Sequence, residues 1–316
     1  MTDRPYSLIV GQGRSGTNWL LQLFQLSPRT FCRNEPYALE GSPFQGLRDH
    51  QHVKRADRDD LQERWQAAVA HTFSHMGKRD PRLLYPKDYA SGFGNGLGAK
   101  LIGKAKVRRL LGLGGDEWPI PGWYAKAARQ AQAPAVLKLL QAPGWATFVL
   151  DHHPEVPVFH IVRHPGGFLN SWSNRYLADM DTEAVLQENR SRLQRVLEEA
   201  PEWSERFGDL DTLDVEASEL WYWRYANETC FAAGQEQPQY RALAYEQLAT
   251  DPLPLMEDLY AVADLPWDAT IASRVTEACS KSAGIAGRWR TKLKPEQVAM
   301  VERILEGSPL QSLWPN

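Results

Sequence analysis

A glycine-rich turn between an expected strand and an expected helix constrains the fold of this chain most strongly. The apolar run over 6–10 is typical of a buried strand, and apolar residues at helical spacing predict a helix over 17–26. Between the two stand Gly11, Gly13 and Gly16. A turn of this kind directs backbone N–H groups and the positive end of a helix dipole into one concavity. The segment therefore predicts an anion-binding site.

Further apolar runs of strand length alternate with helical segments along the chain. Strands are predicted over 135–139, 157–162 and 242–244, with helices that begin near Gly144 and at Pro252. Alternation of this kind is typical of a parallel sheet covered by helices. The expected fold class is α/β, with a parallel sheet flanked by helices.

Composition and charge limit the classes of protein to which the chain can belong. Its 316 residues are 43% hydrophobic and 24% charged, which favours one soluble domain over 1–316. The formal net charge of −3 gives the chain no global attraction to nucleic acid. The three cysteines are far apart, so we expect small buried residues and no disulfide scaffold. The N-terminus lacks a signal-like apolar stretch and no later window approaches a membrane span, so a cytoplasmic location is expected.

Two segments interrupt the alternation. Residues 183–235 read as helices packed against the sheet or covering a cleft, whereas 76–115 is rich in glycine and basic residues and reads as an insertion or lid. Between 76 and 110, nine basic residues accompany two acidic ones. Within this region, 97–114 has apolar residues between basic ones, which is compatible with an anionic membrane surface, a polyanionic acceptor or simply a solvated lid.

The glycine turn departs from the two common nucleotide loops. Thr17 follows Gly16 where a Walker A loop has lysine, and no acidic ribose ligand can be placed for a dinucleotide fingerprint. A purely structural turn is the alternative. Four polar side chains at the turn favour an anion-binding loop instead: Arg14, Ser15, Thr17 and Asn18.

The run R-S-G-T-N-W, from Arg14 to Trp19, resembles the 5′-phosphosulfate loop of the sulfotransferase family. The resemblance implies a P-loop-like sulfotransferase architecture and the donor 3′-phosphoadenosine 5′-phosphosulfate (PAPS), bound by the loop from Gly13 onward. It also implies that Trp19 stacks on adenine, as the tryptophan at this position does in the cytosolic branch. A tryptophan packed in the core is an equal alternative.

Three later segments resemble family motifs in the same order. In "VFHIVRHPGGFLNSW", Arg163 and Ser171 match the pair that holds the 3′-phosphate. "LAYEQLATDP" matches a segment that we interpret as architectural. "GIAGRWR" has the glycine, basic and tryptophan pattern of a loop that closes over the adenosine, and its residues Gly284, Arg288 and Trp289 are the implied contacts.

The last motif also departs from the cytosolic branch. Ser282 and Ala283 stand where that branch has arginine and lysine, which puts the side-chain grip on the 3′-phosphate in doubt there. Lys281, Arg288 or Arg290 would have to replace part of it.

Two residues carry the implied catalytic roles beside Arg14. Lys138 matches a strand-end lysine that touches the transferred group, and a lysine in a buried strand needs a partner for its charge. Leu140 replaces the histidine base of the cytosolic branch, whereas Glu35 in "FCRNEPYAL" matches the glutamate base of carbohydrate-type members. The alternatives are a structural Glu35 paired with Arg33 or a histidine base: His50, His52, His71 or His75.

The resemblance implies transfer of a sulfuryl group to a hydroxyl of a carbohydrate, glycolipid or small metabolite. Arg14, Thr17, Lys138 and the loop amides would stabilise the leaving phosphate, 3′-phosphoadenosine 5′-phosphate (PAP) is the product, and no metal is expected. Two other classes stay open, namely a P-loop kinase that uses ATP, and a non-catalytic module that binds a nucleotide or a membrane surface.

Overall fold

The computed structural model of the protein describes residues 5–38, 41–43, 58–74, 78–79, 85–97, 100, 107, 118–119, 122–177 and 181–314. Its centre is a five-stranded parallel sheet with the order β2-β5-β1-β6-β7. The five strands are β1 Tyr6–Gly11, β2 Phe31–Asn34, β5 Ala135–Leu140, β6 Val158–Val162 and β7 Tyr240–Ala244.

The predicted α/β class with a parallel sheet is thus confirmed. Four of the five strands fall where the apolar runs predict them, whereas β2 was not predicted. A two-stranded antiparallel ribbon also forms, from β3 Lys78–Arg79 and β4 Trp118–Pro119. β1 lies in the middle of the main sheet, where Leu8 pairs with both Leu137 and Val158.

Helices cover both faces of the sheet. They are α1 Thr17–Gln25, α2 Arg58–Ser74, α3 Gly122–Gln130, α4 Pro143–His152, α5 Pro165–Tyr176, α6 Thr182–Glu199, α7 Ser204–Phe207, α8 Val215–Gly234, α9 Tyr245–Thr250, α10 Pro252–Val262, α11 Ala269–Cys279, α12 Ala283–Ala286 and α13 Pro295–Leu305. The expected helical region 183–235 is therefore three helices, which pack against the end of β6 and β7.

The sheet is apolar on both faces because it is covered on both. Leu8 and Val10 pack towards α2 and α4, whereas Ile9 packs towards α1 and α10. On the α1 side, Phe24 stacks between two rings, with centroid distances of 5.1 Å to Phe159 and 5.4 Å to Tyr260. All three cysteines are buried, as expected.

The basic insertion is described only in part, and most of 97–114 lies outside the described residues. One of its basic residues, Lys87, is only 2% exposed. Its ammonium donates to the carbonyl oxygens of Gln25 and Ser27, at 2.8 and 2.6 Å, and to Thr30 Oγ1 at 3.2 Å. Lys87 thus fastens this part of the insertion to the end of α1, whereas the solvated lid expected as one alternative for 97–114 stays a prediction.

No helix within the described ranges is both long and apolar enough to cross a bilayer.

Candidate functional site

The glycine loop joins β1 to α1 at the carboxyl edge of the sheet. Gly11 and Gly16 have φ values of 155° and 95°, a backbone region that favours glycine. A Cβ atom at Gly16 would lie 2.5 Å from the ring of Tyr245, and one at Gly11 would lie 2.6 Å from the carbonyl oxygen of Ile161. Glycine at these two positions lets the loop pack directly on β6 and on the residue after β7.

Three residues without glycine's freedom also adopt positive φ at this edge. They follow β1, β2 and β5, and their φ values are 68° for Arg14, 47° for Glu35 and 49° for Gln141. Such conformations cost on the order of 1–3 kcal/mol each and are enriched at functional sites. The strain concentrates where the sequence predicts an anion and a catalytic carboxylate.

Lys138 is the first buried cation of the site. Its side chain is completely buried, and Nζ donates to Asn18 Oδ1 and to Glu35 Oε1, both at 2.7 Å. The expectation that a lysine in this buried strand needs a charge partner is met by Glu35. Burial lowers the pKa of the Lys138 ammonium, and the Glu35 carboxylate opposes that shift.

Glu35 itself stays accessible, since 29% of its side chain is exposed. Its ion pair in the described structure is with Lys138, not with Arg33, so the structural alternative in that form is not supported. His71 lies on α2, and the other candidate bases, His50, His52 and His75, lie outside the described residues. A proton acceptor and a buried cation thus lie side by side at the sheet edge.

Arg163 is the second buried cation and follows β6. It is 8% exposed, its Nη1 donates to the carbonyl oxygen of Arg14 at 3.1 Å, and its guanidinium lies 4.5 Å from the centre of the Tyr245 ring. A Cβ atom at Gly167 would lie 2.9 Å from Arg163 Nε. Within the described part of the chain, Nε has no hydrogen-bond partner, and neither has the buried hydroxyl of Ser15.

Arg163 and Ser15 are both at the loop, because Arg163 Nη1 donates to the carbonyl oxygen of Arg14, the residue before Ser15. A buried donor without an acceptor is costly, and an anion with several oxygens satisfies more than one donor at once. Arg14 Nε donates to Ser171 Oγ at 3.1 Å, which joins the loop to α5. The structure therefore brings Arg14, Ser15, Arg163 and Ser171 together.

Aromatic rings border the loop on the side of β7. Trp19 is half-buried and meets the Tyr245 ring edge to face, with centroids 5.3 Å apart. It is neither a fully buried core residue nor fully exposed. One part of its ring surface stays available for stacking, as the adenine interpretation requires.

The segment with Trp289 packs on the same edge. Its indole stacks on His164 with centroids 4.5 Å apart, and a Cβ atom at Gly166 would lie 2.5 Å from it. Burial and the charge of Arg290 lower the pKa of His164 to about 4. Arg288 and Gly284 are exposed and bond to each other, Nε to carbonyl oxygen, at 2.9 Å. Trp289 is thus a packing residue here, while Arg288 and Gly284 remain at the surface.

Two residues of this cluster, Tyr245 and Glu246, were not predicted as site residues. Glu246 accepts from the backbone N–H of His164 at 3.2 Å and from Trp314 Nε1 at 2.8 Å, and Tyr245 lies under Arg163. Burial raises the pKa of Glu246, and its hydrogen bonds oppose the shift. The available signal was position, because Tyr245 and Glu246 directly follow β7, whose carboxyl end lies at the same edge as that of β6.

Comparison with known proteins identifies what the chain is similar to. The sequence profile of the sulfotransferase family matches residues 5–269, which include the glycine loop, Arg163 and Tyr245 but not Trp289. A search of curated proteins gave no match.

Two similar solved structures are distant in sequence. The sulfotransferase domain of the Synechococcus PCC 7002 olefin synthase is 15% identical, with 94% of this chain and 93% of that chain covered and a TM-score of 0.42. Sulfotransferase STF9 from Mycobacterium avium is 14% identical, with 100% of this chain and 78% of that chain covered and a TM-score of 0.46.

Proposed function

The chain belongs to the sulfotransferase family, and we propose that it transfers the sulfuryl group of PAPS to a hydroxyl acceptor by in-line displacement. The observation that carries this proposal is the buried guanidinium of Arg163, which has an unpartnered Nε beside a glycine loop with an unpartnered Ser15 hydroxyl. Both groups are hydrogen-bond donors that an anion would satisfy, and PAPS is an anion with phosphate at two positions.

We assign PAPS to the carboxyl edge of the sheet, along β1, β6 and β7. Loop amides from Gly13 to Asn18 receive the 5′-phosphosulfate at the N-terminus of α1, where the helix dipole adds to the attraction. Arg163 and Ser171 receive the 3′-phosphate. The contact between Arg14 and Ser171 supports this division, because it joins the glycine loop to the helix that carries Ser171.

The adenosine is assigned to the aromatic border. Trp19 offers a ring surface to adenine, and Gly284, Arg288 and Trp289 belong to the segment beside it. Because Trp289 is held against His164 and Gly166, it orders this segment and Arg288 supplies the accessible charge.

The transfer step needs a base and charge stabilisation. The acceptor oxygen forms a bond to sulfur while the bond from sulfur to the phosphate oxygen breaks, and the hydroxyl proton passes to Glu35. Arg14, Thr17, Lys138 and the loop amides stabilise the charge that develops on the leaving phosphate, and PAP leaves as the second product. The 2.7 Å contact between Glu35 Oε1 and Lys138 Nζ supports the assignment of both residues to the same reaction site.

The acceptor of this proposal is a hydroxyl of a carbohydrate, glycolipid or small metabolite. Two rival functions make different demands. A P-loop kinase requires ATP with magnesium, and Thr17 in place of the loop lysine disfavours it. A non-catalytic binding module requires nucleotide binding without transfer from PAPS to any hydroxyl.

Calorimetric titration with PAP, with adenosine 5′-phosphate and with ATP plus magnesium tests the donor assignment. We expect PAP to bind most tightly, and Arg163→Ala to weaken PAP on the order of 10- to 100-fold, because a charge-assisted hydrogen bond is lost. The affinity of the Arg163→Ala variant for adenosine 5′-phosphate, which lacks the 3′-phosphate, should change little.

Arg241→Ala is the matched control, since Arg241 pairs with Asp258 near the start of β7, away from the carboxyl edge. Equal affinity for PAP and adenosine 5′-phosphate, or a preference for ATP, would contradict the proposal.

A further inference from the structure

A cavity of about 380 Å³ opens beside the glycine loop, on the face of the sheet opposite α1. Gly13 and Arg14 line it on one side, and α5 and α6 line it on the other. The volume lies within the range of about 300–1,000 Å³ that is typical of small-molecule sites. The cavity therefore adjoins the loop to which the transferred group is assigned, and Tyr245 is not among the described residues that line it.

Most of the cavity surface is apolar or aromatic, and Gln141 and Asn189 are the uncharged polar residues among the described residues that line it. Phe168 and Trp172 come from α5, with 1% and 7% of their surface exposed, and Tyr176 follows one turn later. Ala184 and Val185 face them from α6. Such walls favour an apolar or aromatic group over a bare sugar, whose hydroxyls would lose water without gaining partners.

Three of the four charged residues that line the cavity already have charged partners, and the fourth, Arg14, is assigned to the transferred group. Glu219 is buried and lies 2.6 Å from Arg192, whose guanidinium stacks 3.7 Å from the centre of the Tyr222 ring. Glu188 pairs with Arg195 at 3.5 Å. Neither carboxylate needs a cationic ligand, and Arg192 does not need an anionic one, because each already has a partner of opposite charge. The cavity is therefore suited to a neutral group.

We propose that this cavity binds the apolar body of the acceptor, so that the acceptor is a neutral amphiphilic alcohol such as an aryl or alkyl glycoside, with its hydroxyl towards Arg14. The inference rests on the proposed function and narrows its acceptor class. A polyanionic carbohydrate, for which the basic insertion is suited, does not fit these walls.

Two glycosides with the same sugar test the proposal. The protein is titrated calorimetrically with phenyl β-D-glucoside and with methyl β-D-glucoside, with and without saturating PAP. We expect the phenyl compound to bind at least tenfold more tightly in both cases, because burial of a phenyl ring is worth at least that factor. Transfer from PAPS should show the same preference in kcat/KM. Equal binding of the two glucosides would overturn the inference, and so would displacement of the phenyl compound by PAP.

A pair of substitutions on α6 locates the binding. Ala184 is exposed at the surface of the helix and lines the cavity, so Ala184→Phe fills the cavity at little cost to the fold. It should abolish the preference for phenyl and leave the affinity for PAP unchanged. Ser191→Phe adds the same ring at an exposed position on α6 that does not line the cavity, and it should retain the preference.

The two proposals fail in different ways. A protein that binds no PAP contradicts the donor assignment, whatever the glucosides do. A protein that binds PAP but retains its phenyl preference in Ala184→Phe contradicts only the cavity assignment.

Discussion

Among the residues that the structure describes, two lysines are almost completely buried, and they differ in what surrounds their charge. Lys87 lies behind the C-terminal end of α1, where two backbone carbonyls and a threonine hydroxyl hold its ammonium. Lys138 lies at the carboxyl edge of the sheet, where a carboxylate and an amide oxygen hold it. The carbonyls at Lys87 are fixed parts of the backbone, whereas both partners of Lys138 are side chains that can release it.

The difference shows that burial of a charge does not by itself indicate a functional site. Lys87 satisfies the orphan carbonyls with which every helix ends, and this is a structural task. Lys138 lies where the carboxyl ends of parallel strands converge and where ligands of open α/β sheets bind. Substitution should therefore lower stability in one region and activity in the other.

The largest effect is expected for Lys138→Met, which removes the ammonium beside Glu35. Loss of one group that stabilises transition-state charge typically lowers kcat by about 100- to 1,000-fold. Turnover of PAPS with a hydroxyl acceptor measures it, and Lys126→Met, at an exposed lysine of α3, is the control. Turnover within about twofold of the native protein would remove Lys138 from the site.

Lys87→Met should instead destabilise the fold. Its loss leaves the carbonyls of Gln25 and Ser27 without this donor, and a buried unsatisfied polar group costs about 1–3 kcal/mol. We expect the free energy of unfolding in urea to fall by about 2–3 kcal/mol, with PAP affinity of the folded protein unchanged. Unchanged stability together with weaker PAP binding would reverse the roles of the two lysines.

His160 provides a smaller test of the packed interior. It is fully buried between Tyr240 Oη, at 2.6 Å, and Asn227 Oδ1, at 3.0 Å, and burial lowers its pKa from 6.5 to about 4. The unfolded chain therefore takes up a proton below pH 6.5 that the folded protein accepts only near pH 4. Stability that is complete above pH 6.5 is lost as the pH falls towards 4.

The expected contribution of His160 is a loss of about 2 kcal/mol between pH 7 and pH 5. Urea unfolding at both pH values measures it, and His160→Gln should show a correspondingly smaller loss. An equal loss in both proteins would assign the pH dependence to other groups.

Much of the fold followed from local patterns, because apolar strands and a glycine turn are local. β2 was not predicted since it is only four residues long and contains Arg33 and Asn34. Arg33 is nonetheless 1% exposed, and its guanidinium carbon lies 4.9 Å from the centre of the Phe31 ring. Its side chain is thus packed in the interior, which the residue type does not reveal.

Residues that meet at the carboxyl edge of the sheet were predicted where a motif marks them and were missed where only topology brings them there. Arg163 and Lys138 follow or occupy recognisable strands. Tyr245 and Glu246 meet Arg163 because β7 lies next to β6, which the sequence does not state. Lys87 was grouped with the basic insertion because two of its partners are backbone carbonyls, and these have no sequence signature.

The place of β1 in the middle of the sheet has a consequence for biosynthesis. Ribosomes make β1 first, yet its neighbours, paired through Leu137 and Val158, emerge much later. Until then both edges of an apolar strand are open to other chains, which is the condition that favours aggregation and recruits chaperones. The glycine loop shares this delay, because Tyr245, against which Gly16 packs, is made later still. A nascent chain thus carries the loop long before the residue that completes its packing is made.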